Sequence, residues 1–505
     1  MRVIGRHKAS MRLRVSLLLA LLAAVPTAIR SQELSVTYKG SGWIQFGRIQ
    51  HSSDSVSNQP DNNFNGNWIQ STGGQITALA KIGENWEGGV GVGAIQTHSA
   101  RGAYFVSNQW APFWAPLIEA RVTNTQTWGA NKMQVTLGNF PYDYNPDVKN
   151  LGLYLIRGQA YPGTVISGFE TKHVLPIASI YGGMTRLQLG DFQNDIILNS
   201  ETETKPFFDF SLADVMSYQV APGFQIGAGV NFYRLFPQNR KVTSPGKGCA
   251  TEGHFYHQVD DNDPEACYSL DTLSKTLTKV DTSVVYNDAG TDSALSMVPT
   301  YQNVVVDTVT GSMAGTKVMA RFRVDPKVWF GTPGILGKED LVIYSEAAIL
   351  GIKNQGKYFN DIKKRIPIMV GFNIPAFKFL DKLSLEVEYY GSNNYSDYGK
   401  AESFGSWVPR TVPGSPVFEA SAPITFNGQT YSKVQTIRSL DYARDNWKWS
   451  LYGSRVLMGH LRLAAQVAND HYRNNGTGAT SFPTWAEAMT TPKDWYWMCK
   501  LAYFF

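Results

Sequence analysis

Period-two alternation of apolar and polar side chains recurs along most of this chain, and it restricts the possible folds more than any other feature. Successive side chains of a strand point to opposite faces, so each such stretch reads as a strand with one apolar and one polar face. In HLRLAAQVAND, Leu461, Leu463, Ala465 and Val467 alternate with His460, Arg462, Ala464 and Gln466. In WKWSLYGSR, Trp447, Trp449 and Leu451 alternate with Lys448, Ser450 and Tyr452. KVMARFRV, KLSLEVEYY and GFQIGAGVNFYR repeat the pattern, and it governs the last segment, WYWMCKLAYFF, where the odd positions are apolar and the even ones include Lys500. After the amino-terminal segment no stretch is long and apolar enough for a transmembrane helix. A chain of this kind enters a membrane only as a closed β-barrel, because lipid leaves the open edge of a sheet unsatisfied.

The spacing of the segments supports that reading. About sixteen strand candidates appear (roughly 14–18), each near the ~9–11 residues that a tilted spanning strand needs. Their connections alternate in length. IGEN (82–85), QVAPG (219–223), PAFKFLD (375–381) and VLMG (456–459) are tight, whereas 50–72, 98–115, 139–163, 191–206, 236–315, 353–363, 392–445 and 471–493 are long. A strand is expected to begin near 164, and the turn at 325–340 is long for its side. The expected fold is all-β, a single antiparallel transmembrane β-barrel with short periplasmic turns and long extracellular loops. Aromatic residues at 13% against 17% charged fit a surface that faces neither water nor an ordinary core.

Residues 1–31 read as a secretory signal. A basic stretch with Arg2, Arg6, Lys8, Arg12 and Arg14 precedes the apolar run VSLLLALLAAV, which is too short to span. Cleavage after Ser31 leaves 32–505 as the barrel. The whole chain holds 46 bases and 41 acids; the segment removed holds six bases and no acid, so 40 bases face 41 acids in the mature chain. That near-neutral balance gives no electrostatic reason to expect a nucleic-acid partner.

The terminal strand resembles the carboxy-terminal signal of Gram-negative outer-membrane β-barrels. Phe505 ends the chain, and Tyr503 and Leu501 precede it at alternating positions. In that family the barrel-assembly machinery reads this strand, which implies that machinery and outer-membrane lipid as partners and an integral place in the cell outer membrane. KMQVTLGNFPYDYNPDVKN, Lys132 to Asn150, is similar in style to the LG-x-F-P segments of substrate-selective porins. The resemblance is to the porin superfamily as a whole and specifies no substrate family. It implies passive, selective diffusion of small hydrophilic solutes, a third long loop folded inward to narrow the pore, and a homotrimer.

The inward segment, 139–163, is rich in hydrogen-bonding groups: Tyr142, Asp143, Tyr144, Asp147, Lys149, Tyr154 and Arg157. An ordinary surface loop would carry similar content. Inward parity assigns Arg121, Lys132, Arg186, Arg321, Arg323, Arg455 and Arg462 to the lumen, with Glu119, Glu346, Glu386 and Glu388. Acids on one wall and bases on another would set up a transverse field that orients dipolar solutes and filters ions. The alternative is charge pairing that only keeps the lumen wet and rigid.

CATEGHFYHQVDDNDPEAC holds Cys249 and Cys267 around His254 and His257. Zinc ligands usually come in closer pairs, and a secreted chain meets an oxidising compartment, so a disulfide between Cys249 and Cys267 is favoured over a metal site. No cofactor and no catalysis are expected. His173, His460 and His471 are the candidate bases, and none lies in a G-x-S-x-G or H-E-x-x-H context. Two rival functions remain. One is a barrel serving as structural anchor or adhesin through the loops at 236–315 and 392–445; the other is a secreted soluble β protein that binds carbohydrate.

Overall fold

The structure, a computed structural model, describes residues 34–52, 65–66, 68–100, 113–114, 117–156, 179–200, 208–236, 255–257, 267–271, 276–285, 296–304, 314–331, 334–353, 361–391, 417–418, 424–426, 429–431, 434–435, 446–472, 489 and 491–505. The signal segment 1–31 lies outside these residues.

Sixteen strand positions form one closed antiparallel sheet. They are β1 (Leu34–His51), β2 (Trp68–Ile82), β3 (Trp86–Ala100), β4 (Leu117–Trp128), β5 (Asn131–Pro141), β6 (Ser179–Leu189), β7 (Phe192–Ser200) and β8 (Phe210–Ala221). The second half comprises β9 (Phe224–Phe236), β10 (Gly315–Val324), β11 (Ile343–Ile349), β12 (Pro367–Asn373), β13 (Lys382–Tyr390), β14 (Trp447–Leu457), β15 (Leu461–Asn469) and β16 (Trp495–Phe504). The short stretch Phe113–Trp114 pairs with the same neighbour as β4. Each strand pairs with the next, and β16 returns to β1 in a register running from Ser41 opposite Phe504 to His51 opposite Trp495.

That seam explains the apolar carboxyl end. Phe505 exchanges both backbone hydrogen bonds with Gly40, each at 3.0 Å, so the last residue has no free peptide edge. Its ring lies over Gly40, where a Cβ would meet it. The closed topology is not that of two stacked sheets.

Burial follows the alternation. On β16, Tyr496, Met498, Lys500 and Ala502 are buried inward, while Trp495, Leu501 and Tyr503 are exposed outward. Exposed apolar side chains continue around the circumference: Phe46 on β1, Val90 on β3, Leu137 on β5, Ile196 on β7, Phe322 on β10, Val370 on β12 and Leu463 on β15. A continuous belt of this size is far beyond what a water-soluble surface tolerates and fits a hydrocarbon environment. No helix among the described residues is long and apolar enough to cross a membrane.

The tight connections bring neighbouring strands together as expected, and two further ones appear. Gly129 (φ 58°) and Gly190 (φ 55°) turn the chain between β4 and β5 and between β6 and β7, with left-handed dihedrals that cost glycine nothing. The long turn at 325–340 is a folded unit containing a short helix, α1 (Lys327–Phe330). Trp329 Nε1 donates to the Pro222 carbonyl of the adjacent turn at 2.6 Å.

Two differences from the sequence reading offset each other in the strand count. The strand expected near 164 lies outside the described residues, and in the wall β5 pairs directly with β6 from Lys132 opposite Gln188 to Pro141 opposite Ser179. Instead 192–200, read as part of a long loop, is β7, paired on both sides. The third long connection therefore runs from the end of β5 to the start of β6 and is longer than 139–163.

Candidate functional site

The β5 alternation ends at Pro141, and the chain turns into the barrel. The described part of the third loop, 142–156, supplies much of the internal core. Tyr142, Tyr144, Val148, Leu151, Leu153, Tyr154, Leu155 and Ile156 pack against Ile180, Met184, Ile197, Val215, Met319, Tyr344 and Met369 of the wall. Apolar inward residues such as Ile197 and Met369 thus belong to a core made between loop and barrel.

Wall carboxylates hold this segment. Glu386 on β13 accepts the backbone N–H groups of Lys149 (2.6 Å), Asn150 (2.8 Å) and Leu151 (2.8 Å), and the Tyr344 hydroxyl at 2.8 Å. Glu346 on β11 accepts the Tyr144 hydroxyl (2.7 Å), Asn145 Nδ2 (2.9 Å) and the Tyr154 N–H (2.8 Å). Glu388 accepts the Tyr154 hydroxyl and faces His471 Nε2 at 2.6 Å. Asp195 on β7 accepts the Tyr142 hydroxyl at 2.9 Å while a two-point ion pair with Arg186 fixes it. Asn150 Nδ2 donates to Asp470, which also receives the Tyr496 hydroxyl at 2.8 Å. Bonds from a donor to an ionised acceptor are the strong kind, and here each ends on a buried group.

Two of the loop hydroxyls stay firmly protonated. Burial, and then the Glu388 carboxylate, push Tyr154 well above the usual phenol range; burial, and then Asp195, do the same for Tyr142. Both remain donors over any ordinary pH.

These contacts revise the reading of the lumen charges. Glu346, Glu386 and Glu388 do face inward, but they are 0%, 1% and 0% exposed beneath the loop and do not line open water. Arg455 does not face inward at all. It shares parity with Trp447, Trp449 and Leu451, lies opposite the outward Leu463, and donates to the Lys378 carbonyl at the turn end of β14. Past the apolar belt, an arginine on the outer face costs little.

The other residues fall as follows. Arg323 pairs with Asp147 at 3.2 Å, joining β10 to the loop. Arg321 lies beside it on the same inward face. Asp143 is exposed and accepts the Asn145 N–H at 3.0 Å; Lys149 is half-buried, with Nζ donating to the Pro146 carbonyl at 3.2 Å. Arg121 bridges Glu119 and Glu87 on the wall formed by β3 and β4. Lys132 is exposed near the Gly129 turn, on the parity of Gln134. Arg462 lies 5.1 Å over the Phe504 ring. Leu501, Tyr503 and Phe505 are exposed outward at the seam. His460 is exposed against Tyr503, and His471 sits under the loop beside Glu388.

Arg157, His173 and Cys249 lie outside the described residues, as do most of 392–445. Of 236–315, the backbone of Phe255–His257, Cys267–Asp271, Thr276–Val285 and Ser296–Val304 forms a separate four-stranded sheet.

Sequence reasoning missed Asn145, Asn150, Asp195, Tyr344 and Asp470. The asparagines stand within a Tyr/Asp/Asn/Lys-rich run, a usable signal for a loop that makes many hydrogen bonds. Nothing local marked Asp195, because its strand was read as a loop.

No family model matches the chain, and no curated protein matches it significantly. Among solved structures the chain is similar to Pseudomonas putida OprB at high pH (10% identity, TM-score 0.41, 94% of each chain). It is similar to a Salmonella typhi OmpF complex with daunomycin (8% identity, TM-score 0.38, 93% of this chain and 97% of that one). A Rh. blastica porin mutant gives 6% identity and a TM-score of 0.40 over 93% of this chain and 100% of that one. The closed antiparallel barrel read from the sequence is the sixteen-stranded sheet described above.

Proposed function

We propose that this chain is an integral channel of the Gram-negative outer membrane through which small hydrophilic solutes diffuse passively, with the third loop setting the width and charge of the narrowest part. The observation that carries this reading is the combination of an apolar outer belt with a loop drawn inside the barrel and fastened to the inner wall. A barrel of this strand number encloses an aqueous lumen unless it is filled, and a loop fastened to one side narrows it while leaving polar groups on the other. Selectivity then comes from steric limit and lumen charge, with no bond made or broken. Assembly as a homotrimer, insertion by the barrel-assembly machinery through Leu501, Tyr503 and Phe505, and a Cys249–Cys267 disulfide belong to the same reading.

Single-channel recording in planar bilayers tests it. Steady open steps that shrink with added neutral sugars of increasing size support the channel. A silent barrel of normal heat-resistant mobility supports the anchor or adhesin reading instead.

A further inference from the structure

Three arginines line one arc of the inner wall, and their partners differ. Arg186 on β6 is held by Asp195 at 2.7 and 2.8 Å. Arg323 on β10 is held by Asp147 at 3.2 Å and approaches Asp325 at 3.6 Å. Arg321 has no carboxylate partner among the described residues. It is only 8% exposed, its Nε has no hydrogen-bond partner, and its one hydrogen bond among the described residues is a long 3.5 Å approach of Nη1 to Gln225.

The register shows why. Arg321 on β10 lies directly opposite Glu346 on β11, which would normally make a cross-strand ion pair. Both Glu346 oxygens are instead occupied by Tyr144, Asn145 and the Tyr154 N–H. The loop takes the carboxylate, and the guanidinium leans the other way, across Gly227 on β9. A Cβ at Gly227 would lie 2.7 Å from Arg321 Nε and 2.9 Å from its Cγ, so the missing side chain makes the recess into which the arginine folds. Next to Gly227, Ser217 on β8 is also small. A nearly buried, unpaired cation in such a recess is unfavourable unless an anion completes it. The planar fork of arginine matches the paired oxygens of a phosphate or carboxylate.

We infer that Arg321, in the recess over Gly227 and flanked by Gln225, is an oxyanion-binding subsite on the lumen wall, taking a free phosphate or the carboxylate of a small organic acid. This deepens the channel reading by naming the solute class, and only its electrical test rests on that reading.

The purified full-length chain in detergent is titrated calorimetrically with inorganic phosphate and, separately, with acetate. The same protein in planar bilayers is titrated with phosphate in potassium chloride. The expected result is saturable binding, together with a saturable fall in current. Arg321→Gln raises the half-saturating concentration about tenfold or more, the loss expected for a charge-assisted bond. Arg321→Lys, which keeps the charge but not the fork, recovers part of the affinity and supplies the test should Arg321→Gln not fold. Lys338→Gln, an equal charge change on an exposed periplasmic turn, leaves binding unchanged.

Tighter phosphate than acetate binding supports a phosphate ligand; the reverse supports an organic acid. No saturable binding of either, or binding that survives both Arg321 variants, overturns the subsite. Binding by calorimetry without any channel current overturns the channel reading and leaves the subsite standing. Open channels without oxyanion binding do the opposite.

Discussion

Two stretches of the inner wall carry the same residue types at the same parity and use them differently. On β3 and β4, Glu87, Glu119 and Arg121 face inward; Arg121 pairs with Glu87 across the two strands and with Glu119 two places along its own strand, and all three keep some contact with water. The wall beneath them is bare: a Cβ at Gly89 would lie 3.0 Å from Glu119 Oε1, and one at Gly91 would lie 3.3 Å from Glu119 Cβ. The charges therefore lie flat over glycine. On β11 and β13, Glu346, Glu386 and Glu388 face inward too, but they reach across to a loop and are sealed beneath it. Parity decides which face a side chain takes. Whether that face is wet depends on what descends upon it.

The contrast is open to direct test, and the largest effect belongs to the sealed wall. Glu386→Ala strands three loop N–H groups and the Tyr344 hydroxyl. The expected cost is about 3–5 kcal/mol, read as earlier loss of heat-resistant mobility, with larger and noisier conductance as the loop comes loose. An unchanged melting temperature and conductance would mean that the loop does not depend on this anchor.

A second test separates loop charge from wall charge. Replacing both Asp143 and Asp147 with asparagine removes two negative charges from the loop and leaves Arg323 with Asp325 alone, at 3.6 Å. Reversal potentials in a salt gradient should shift toward anions. Unshifted potentials would place 139–163 away from the conducting path.

A third uses pH. Burial raises the Asp470 carboxyl above its usual range, against the opposing bonds from Asn150 and Tyr496. The folded chain then holds this proton at pH values where the unfolded chain has released it. Stability contributed at this site is greatest at acid pH and declines as pH rises from the ordinary carboxylate range through the raised value. Asp470→Asn should flatten that part of the stability-against-pH curve; an unaltered slope would assign it to another group.

The smallest effect belongs to the open wall. Arg121→Gln breaks two part-exposed pairs and should cost about 1 kcal/mol or less, while the loop anchors keep the conductance pattern. A loss approaching that of Glu386→Ala would erase the distinction between the two walls.

The sequence made the barrel legible because one face of nearly every strand must meet hydrocarbon. Where that demand is strong, as on β10, β13, β14, β15 and β16, the inward and outward sets were readable residue by residue. Where a second apolar environment lies inside, the signal fades. On β7 the run Ile196, Ile197, Leu198 does not alternate, because Ile197 faces the loop core while its neighbours face outward. That is why the strand was read as loop. At Arg455 the apolar belt has ended, so the lipid demand no longer sets the face.

Alternation and turn length were enough to determine a closed sheet, since each follows from local periodicity against a fixed solvent; the inward third loop followed only from the resemblance to porins, not from periodicity. Only tertiary structure decided which lumen charges are free. Arg321 loses its cross-strand partner Glu346 to groups about 200 positions away from that carboxylate, Tyr144 and Asn145 among them. A hydrogen bond between residues so far apart in the chain leaves no periodic trace, because it is made by the path of the loop and not by the pleat of a strand.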